Sequence, residues 1–208
     1  MGFGAPSLKG KALQWLAQRE HSRAELQQKL QRHASKALWP RRAGRAAAVS
    51  ANDAMAEFDA AGIDDGAHLA AARETAAAAT ADAAAAAAAA VALENAKITP
   101  LLDELAAAGL QSDTRAAQSL ARVKGPRYGV HRLKQQLQAK GLAADLVADT
   151  IGAARATEFE RAQALWLRRY GQVAQDLAER LRQIRFLTAR GFDSDVVRRV
   201  VRGAADTD

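Results

Sequence analysis

Fifty positions apart (191 minus 141), this chain says nearly the same thing twice. Lys140-Gly141-Leu142 leads to Asp145-Leu146-Val147, and Arg190-Gly191-Phe192 leads to Asp195-Val196-Val197. Each copy has a cation, a glycine, a large apolar residue, an aspartate and two aliphatics. Glycine stops a helix because it adopts the left-handed cap without a Cβ penalty, and a cation suits the negative end of the helix dipole. The aspartates sit near the starts of the next apolar-periodic segments, where a carboxylate favours a helix N-terminus. Both copies therefore read as helix, tight turn, helix. Repetition of such a unit predicts a tandem helical array, which works by presenting a surface.

The rest of the chain has to build its core thinly. Of 208 residues, 49% are hydrophobic, but alanine inflates that figure and only 5% are aromatic. The absence of cysteine excludes disulfides, thiolate metal sites and cysteine nucleophiles. No run of about 20 large apolar residues occurs, so no membrane span is expected. Met1 to Lys11 lacks the apolar middle of a signal peptide, which makes the cytoplasm the expected compartment.

Charge is unevenly placed. Residues 1–45 hold ten Lys/Arg and two acids, residues 46–114 hold two and eleven, and residues 115–208 hold eighteen and ten. Two basic segments, each +8, flank one of −9, for a net charge of +7. Such basic surfaces attract phosphate backbones or acidic protein grooves.

Helical periodicity runs through both basic segments. A first helix is predicted over 8–20, with Leu8, Ala12, Trp15 and Leu16 on one stripe. Ser22-Arg23-Ala24-Glu25 reads as a capping box that opens a second helix carrying Leu26 and Leu30 and fading near His33. Trp39-Pro40 breaks any helix. Residues 34–96 form an alanine-rich insertion of low complexity. The anchors Met55, Phe58 and Ile63 are scattered, and Ala83–Ala90 is pure alanine, so helicity is available but tertiary anchoring is scant.

Order returns at Thr99-Pro100, read as N-cap and first helical residue of a helix with Leu101, Leu102 and Leu105 that ends at Gly109. Asp113 is the expected cap of a helix over 114–124. Val130, Leu133 and Leu137 stripe the helix 130–140, and Leu146, Val147, Thr150 and Ile151 that over 144–155. Phe159, Ala162, Trp166 and Tyr170 follow, closed by Gly171. Leu177, Leu181 and Ile184 supply one side of a helix over 176–190 and Phe186 the other. Val196, Val197, Val200 and Val201 form the last stripe. No segment alternates in the strand period, so the predicted fold is all-α.

Nothing in the sequence points to catalysis or a cofactor. The histidines His21, His33, His68 and His131 include no pair at i, i+4, and no HExxH occurs. His21 precedes an N-cap and reads as a local turn residue. Gly125-Pro126-Arg127-Tyr128-Gly129 lacks the lysine and glycine pattern of a phosphate-binding loop, and no GxSxG occurs. No catalytic residue, metal ligand or cofactor is expected. The remaining signal is basic. Arg122, Lys124, Arg127, Arg132, Lys134 and Lys140 form one set around Tyr128, with Arg132 and Lys140 two turns apart. Arg168, Arg169, Arg182, Arg185 and Arg190 form a second. Arginine favours bidentate partners such as phosphate or carboxylate, so these eleven are the candidate partner-binding and DNA-binding residues.

Three stretches together resemble the RecX family of bacterial modulators of the RecA recombinase. The first runs from Ala12 through Trp15, Arg19-Glu20-His21-Ser22 and Glu25-Leu26 to Lys29-Leu30. The second is Gly109-Leu110-Gln111-Ser112-Asp113-Thr114-Arg115, then Tyr128-Gly129-Val130-His131-Arg132-Leu133 and Lys140-Gly141-Leu142. The third is Arg168-Arg169-Tyr170-Gly171, then Ile184-Arg185-Phe186-Leu187 and Arg190-Gly191-Phe192. The resemblance spans 11–33 and 101–202. It implies tandem three-helix repeats in an elongated, curved array. It also implies a monomer that binds the helical groove of RecA filaments on DNA and inhibits strand exchange and ATP hydrolysis, restraining recombination and the SOS response.

On this resemblance, residues 8–33 and 97–110 are the two parts of a first repeat, divided by the insertion 34–96; 111–155 form the second and 156–202 the third. Two features depart from the family pattern. Ala116 follows Arg115 where the family places an aromatic, and the insertion replaces a short linker. A different class of function also fits the charge: a basic helical module that binds nucleic acid without RecA.

Overall fold

The computed structural model describes residues 7–36 and 66–203, with the backbone alone at 66–73 and 76. Trp39-Pro40, Met55, Phe58 and Ile63 lie outside the described residues. Among those described, helix follows helix and no strand occurs. The helices are α1 (Leu8–Leu16), α2 (23–36), α3 (Gly66–Ala96), α4 (Ile98–Ala107), α5 (Asp113–Lys124), α6 (Val130–Ala139), α7 (Ala144–Ala156), α8 (Glu158–Arg169), α9 (Leu177–Thr188) and α10 (Ser194–Arg202). A 3₁₀ turn, Gly125–Arg127, links α5 to α6.

Two compact units divide the chain. The first takes residues 1–14 and 26–107, the second 15–25 and 108–208. In the first unit, Ala12, Leu26, Leu30, Ala34, Ala87, Ile98, Leu102 and Leu105 are buried, and Lys9 pairs with Glu104 at 2.5 Å. The alanine tract is helical over 31 residues. α3 packs on α4, and Ala87 is fully buried, an anchor that the composition of the tract does not reveal. The sequence leads one to expect no membrane span, yet Ala77–Ala107 is long and apolar enough to cross a membrane, with a mean hydropathy of 1.3. Alanine methyls supply that value.

In the second unit α5, α6 and α7 pack together, as do α8, α9 and α10, and α7 meets α8. Ala117, Leu137, Leu142 and Val147 centre the first cluster. Trp166, Leu187, Phe192, Val197, Val200 and Val201 dominate the second. The apolar stripe of α6 is buried as its periodicity predicts, and in α10 Val197, Val200 and Val201 are buried while Val196 is half-buried.

Several helix ends differ from the sequence reading. The first helix stops at Leu16, because the amides of Gln18 and Arg19 turn back onto the Trp15 carbonyl. The second runs on past His33 to residue 36. α4 starts at Ile98 and not after a Thr99 cap, with the Leu101 amide bonding the Lys97 carbonyl. Pro100 still sits in the first turn, where the missing N–H costs nothing. Ser112, not Asp113, caps α5, since its extended backbone lets its hydroxyl accept from the Arg115 amide. On α9, Leu177 and Leu181 are 71% and 45% exposed, and Gln183 and Leu187 are buried instead. The polar Gln183 is tolerated inside because its oxygen accepts from the Trp166 indole at 2.8 Å.

Candidate functional site

The two sequence copies end in left-handed glycines, Gly141 at φ 67° and Gly191 at φ 77°. Each turn docks against the start of an earlier helix in the same way. In the first joint, the Lys140 carbonyl accepts from the hydroxyl of Ser22, the N-cap of α2. In the second, the Arg190 carbonyl accepts from the amide of Gly129, the N-cap of α6. The amide of the first helical residue is held alike in both. Arg23 donates to Asp113 at 2.7 Å, and Val130 donates to Glu158 at 2.9 Å. Asp113 and Glu158 are themselves the first residues of α5 and α8. The approach is too close for a side chain: a Cβ on Gly129 would lie 2.2 Å from the Phe192 Cα, and one on Gly191 would lie 2.6 Å from the Arg132 nitrogen.

The third helical position separates the joints. In α2 it is Glu25, and its carboxylate pairs with Lys140 Nζ at 2.8 Å and with Arg19. His21 Nδ1 lies 3.2 Å from the same carboxylate and is buried. Burial pushes the Glu25 carboxyl up, but hydrogen bonds from Arg19 and Lys140 and the charges of Lys140 and His21 prevail. They hold it at about 2, below its ordinary 4.5. The capping box is thus half formed: Ser22 receives the Glu25 amide, while the Glu25 carboxylate serves cations. In α6 the same position is Arg132, and the approaching turn again brings a cation, Arg190.

Two arginines therefore occupy the positions that an ion pair takes in the first joint. Arg127 from the 3₁₀ turn and Arg168 from α8 join them, and with Tyr128, Leu165 and Ala189 they line an open groove of about 610 Å³. No carboxylate lines it. Among the described residues, none of these four arginines forms an ion pair. Two of them are positioned by other contacts. Arg190 lies 3.8 Å from the Phe186 ring centroid and donates to the Phe186 carbonyl at 3.0 Å. Arg132 lies over the Tyr128 ring at 5.7 Å.

A residue absent from the sequence reading holds this arrangement. Arg161 donates to the carbonyls of Gly125 at 2.6 Å, Tyr128 at 2.8 Å and Ala154 at 2.7 Å. It pins the turn that carries Arg127 and leads into α6. Burial pushes its guanidinium below the ordinary value, and the Glu158 carboxylate works against that. Nothing local in the sequence distinguishes Arg161 from an exposed helical arginine.

The other candidates are placed elsewhere. Lys124 and Lys140 line a cleft of about 590 Å³ floored by Ala116, Leu120 and Leu142. Arg132 and Lys140, two turns apart, thus serve different grooves. Arg122 lines a third groove with Arg161 and Asp149. Arg182 and Arg185 bond carbonyls of their own helix, at Ala178 and Leu181. Arg169 lies 5.8 Å from the Phe186 centroid, and Lys134 is exposed.

Residues 156–201, which contain α8, α9 and most of α10, match the family model for the third three-helix domain of RecX. Over 196 residues the chain is 36% identical to the regulatory protein RecX of Leptothrix cholodnii, covering 94% of this chain and 88% of that one. The chain belongs to the RecX family. RecX of Ralstonia nicotianae is 32% identical over 198 residues, 95% of this chain and 88% of its own length. RecX of Chromobacterium violaceum is 38% identical over 112 residues, covering 54% and 72%. RecX relatives carry the description of regulatory proteins, and a regulatory role with a helical-repeat fold follows for this chain.

Proposed function

We propose that this protein is a non-enzymatic modulator of RecA. It binds the groove of the RecA–DNA filament and inhibits it, restraining recombination, ATP hydrolysis and the SOS response. It acts as a cytoplasmic monomer, and its basic surface makes the contact. The observation that carries the reading is family membership over nearly the whole chain, joined to a groove whose arginines have no internal counter-charge. RecA ATPase on single-stranded DNA, measured with and without the purified protein, tests it. Inhibition is expected, and an unchanged rate at saturating protein would sink the proposal.

The four-arginine groove also favours a second reading, a helical nucleic-acid-binding module that acts without RecA. That reading predicts steeply salt-dependent DNA affinity and no ATPase effect beyond what competition for DNA explains. Restoring the ATPase by adding excess DNA would favour it.

A further inference from the structure

We propose that the cleft of the first joint is a docking site for an aromatic side chain flanked by a carboxylate, presented by a segment of a partner protein. This site is distinct from the four-arginine groove and independent of the RecA reading. The two joints carry a cleft at the same place. Leu120 and Val123 of α5 correspond to Leu165 and Arg168 of α8, at the offset of 45 that carries Asp113 to Glu158 (158 minus 113). Ala139 and Lys140 correspond to Ala189 and Arg190, at the offset of the two glycine turns. The first of each pair lines the cleft of about 590 Å³, and the second lines the groove of about 610 Å³.

The same frame encloses different chemistry. Ala116, Leu120, Val123 and Leu142 give the first cleft apolar walls, and Val123 is 61% exposed, so the apolar surface continues out to solvent. Ala116 stands where α8 has Arg161 (161 minus 116 is again 45). In the second joint Arg161 bonds the carbonyls of Tyr128 and Ala154. Their counterparts in the first joint are the carbonyls of His21 and Gly109, and other residues hold them: Gln111 at 3.4 Å and Arg115 at 2.9 Å. The first joint therefore closes without a long side chain at Ala116, and the space beside that methyl belongs to the cleft.

Shape and charge together select the occupant. A slot lined by alanine methyls and leucines suits a flat ring, because an aromatic side chain buries a large area with few torsions to fix. Charge selects what stands beside the ring. The acids of the cleft are already engaged: Glu20 pairs with Arg115 at 2.9 Å, and Glu25 pairs with Lys140 at 2.8 Å and with Arg19. Lys124 also lines the cleft, and among the described residues it forms no ion pair. A carboxylate next to the ring answers that ammonium, whereas a cation there would be repelled.

The test titrates the full, isotope-labelled chain with the amide of N-acetyl-Phe-Asp and follows backbone amides by NMR, with circular dichroism as the folding control. A single anchored ring should approach saturation by about 10 mM peptide. Saturable shifts are expected at Ser119, Val123 and Lys124, which line the cleft. Replacing the peptide's phenylalanine by alanine should weaken binding about tenfold or more. Lys124→Glu should weaken it about fivefold, and an Asn peptide should bind the parent and Lys124→Glu alike. Ser119→Phe puts a ring into the cleft and should abolish binding. Val123→Asp, at an exposed position, should weaken binding about fivefold even if Ser119→Phe fails to fold. Arg155→Glu makes the same charge change on an exposed part of α7 outside the cleft lining and should leave affinity unchanged. Absence of localised shifts, or equal affinity in the parent and the folded cleft variants, overturns the site. Equal loss in Arg155→Glu overturns the role of Lys124, and equal binding of the alanine peptide overturns the aromatic anchor.

Discussion

The Glu25 carboxylate meets Lys140 Nζ at 2.8 Å, joining the third residue of α2 to the residue that ends α6. The pair closes a joint whose backbone contacts recur between Gly129 and Arg190, where the charge is not closed.

The first prediction concerns acid. The folded carboxyl of Glu25 titrates at about 2 against an ordinary 4.5. Its ionised form is favoured in the folded state, so its contribution is full above 4.5 and is lost as pH falls toward 2. The stability difference between parent and Glu25→Gln should be roughly 3 kcal/mol at neutral pH and vanish near pH 2. Urea denaturation of both proteins at several pH values measures it. A difference independent of pH would remove the ion pair from the account.

Glu158 holds two amides with one buried oxygen, Val130 at 2.9 Å and Asp193 at 3.2 Å. Glu158→Ala leaves both donors without that acceptor and should cost about 2–4 kcal/mol. Glu158→Gln keeps a carbonyl oxygen there and should cost about 1 kcal/mol. Equal losses would show that the negative charge, and not the acceptor oxygen or the packing of the side chain, carries the contribution.

Three glycines separate strain from contact. Gly191 combines φ 77° with a Cβ position 2.6 Å from the Arg132 backbone nitrogen, and Gly191→Ala should cost about 3 kcal/mol or more. Gly109, at φ 68°, has open space around its Cβ position, so Gly109→Ala should cost about 1 kcal/mol from backbone strain alone. Gly152 lies inside α7 with neither constraint, and Gly152→Ala should stabilise by about 0.5–1 kcal/mol. Thermal denaturation of the three variants checks the order.

The helices and their apolar stripes were legible because periodicity is a local signal. The glycine turns were legible because a left-handed cap leaves glycine little competition. Long-range use of polar groups was not. Asp113 looks like a cap, yet it receives the Arg23 amide across 90 positions. Gln183 looks exposed and is buried under the Trp166 indole. The eleven cations read as two sets ordered along the chain. Lys140 answers to Glu25, while Arg127, Arg132, Arg168 and Arg190 converge, and that sorting depends on partners far away in sequence.

The alanine tract provides the last prediction, because two neighbouring alanines in it should behave oppositely. Ala85 is exposed and Ala87 is fully buried, both on α3 within the first unit. Ala85→Asp loses only intrinsic helix propensity, about 0.7 kcal/mol at most, and that loss is local. Ala87→Asp forces a carboxylate into a position that is fully closed to solvent. It should cost roughly 3 kcal/mol or more, or drive α3 off its packing. Limited proteolysis within 66–96, with a urea midpoint for each variant, distinguishes the two. Faster cleavage and a lower midpoint are expected for Ala87→Asp alone. Identical behaviour would mean that α3 has no anchor, and that the tract is held only by its covalent connection to α4.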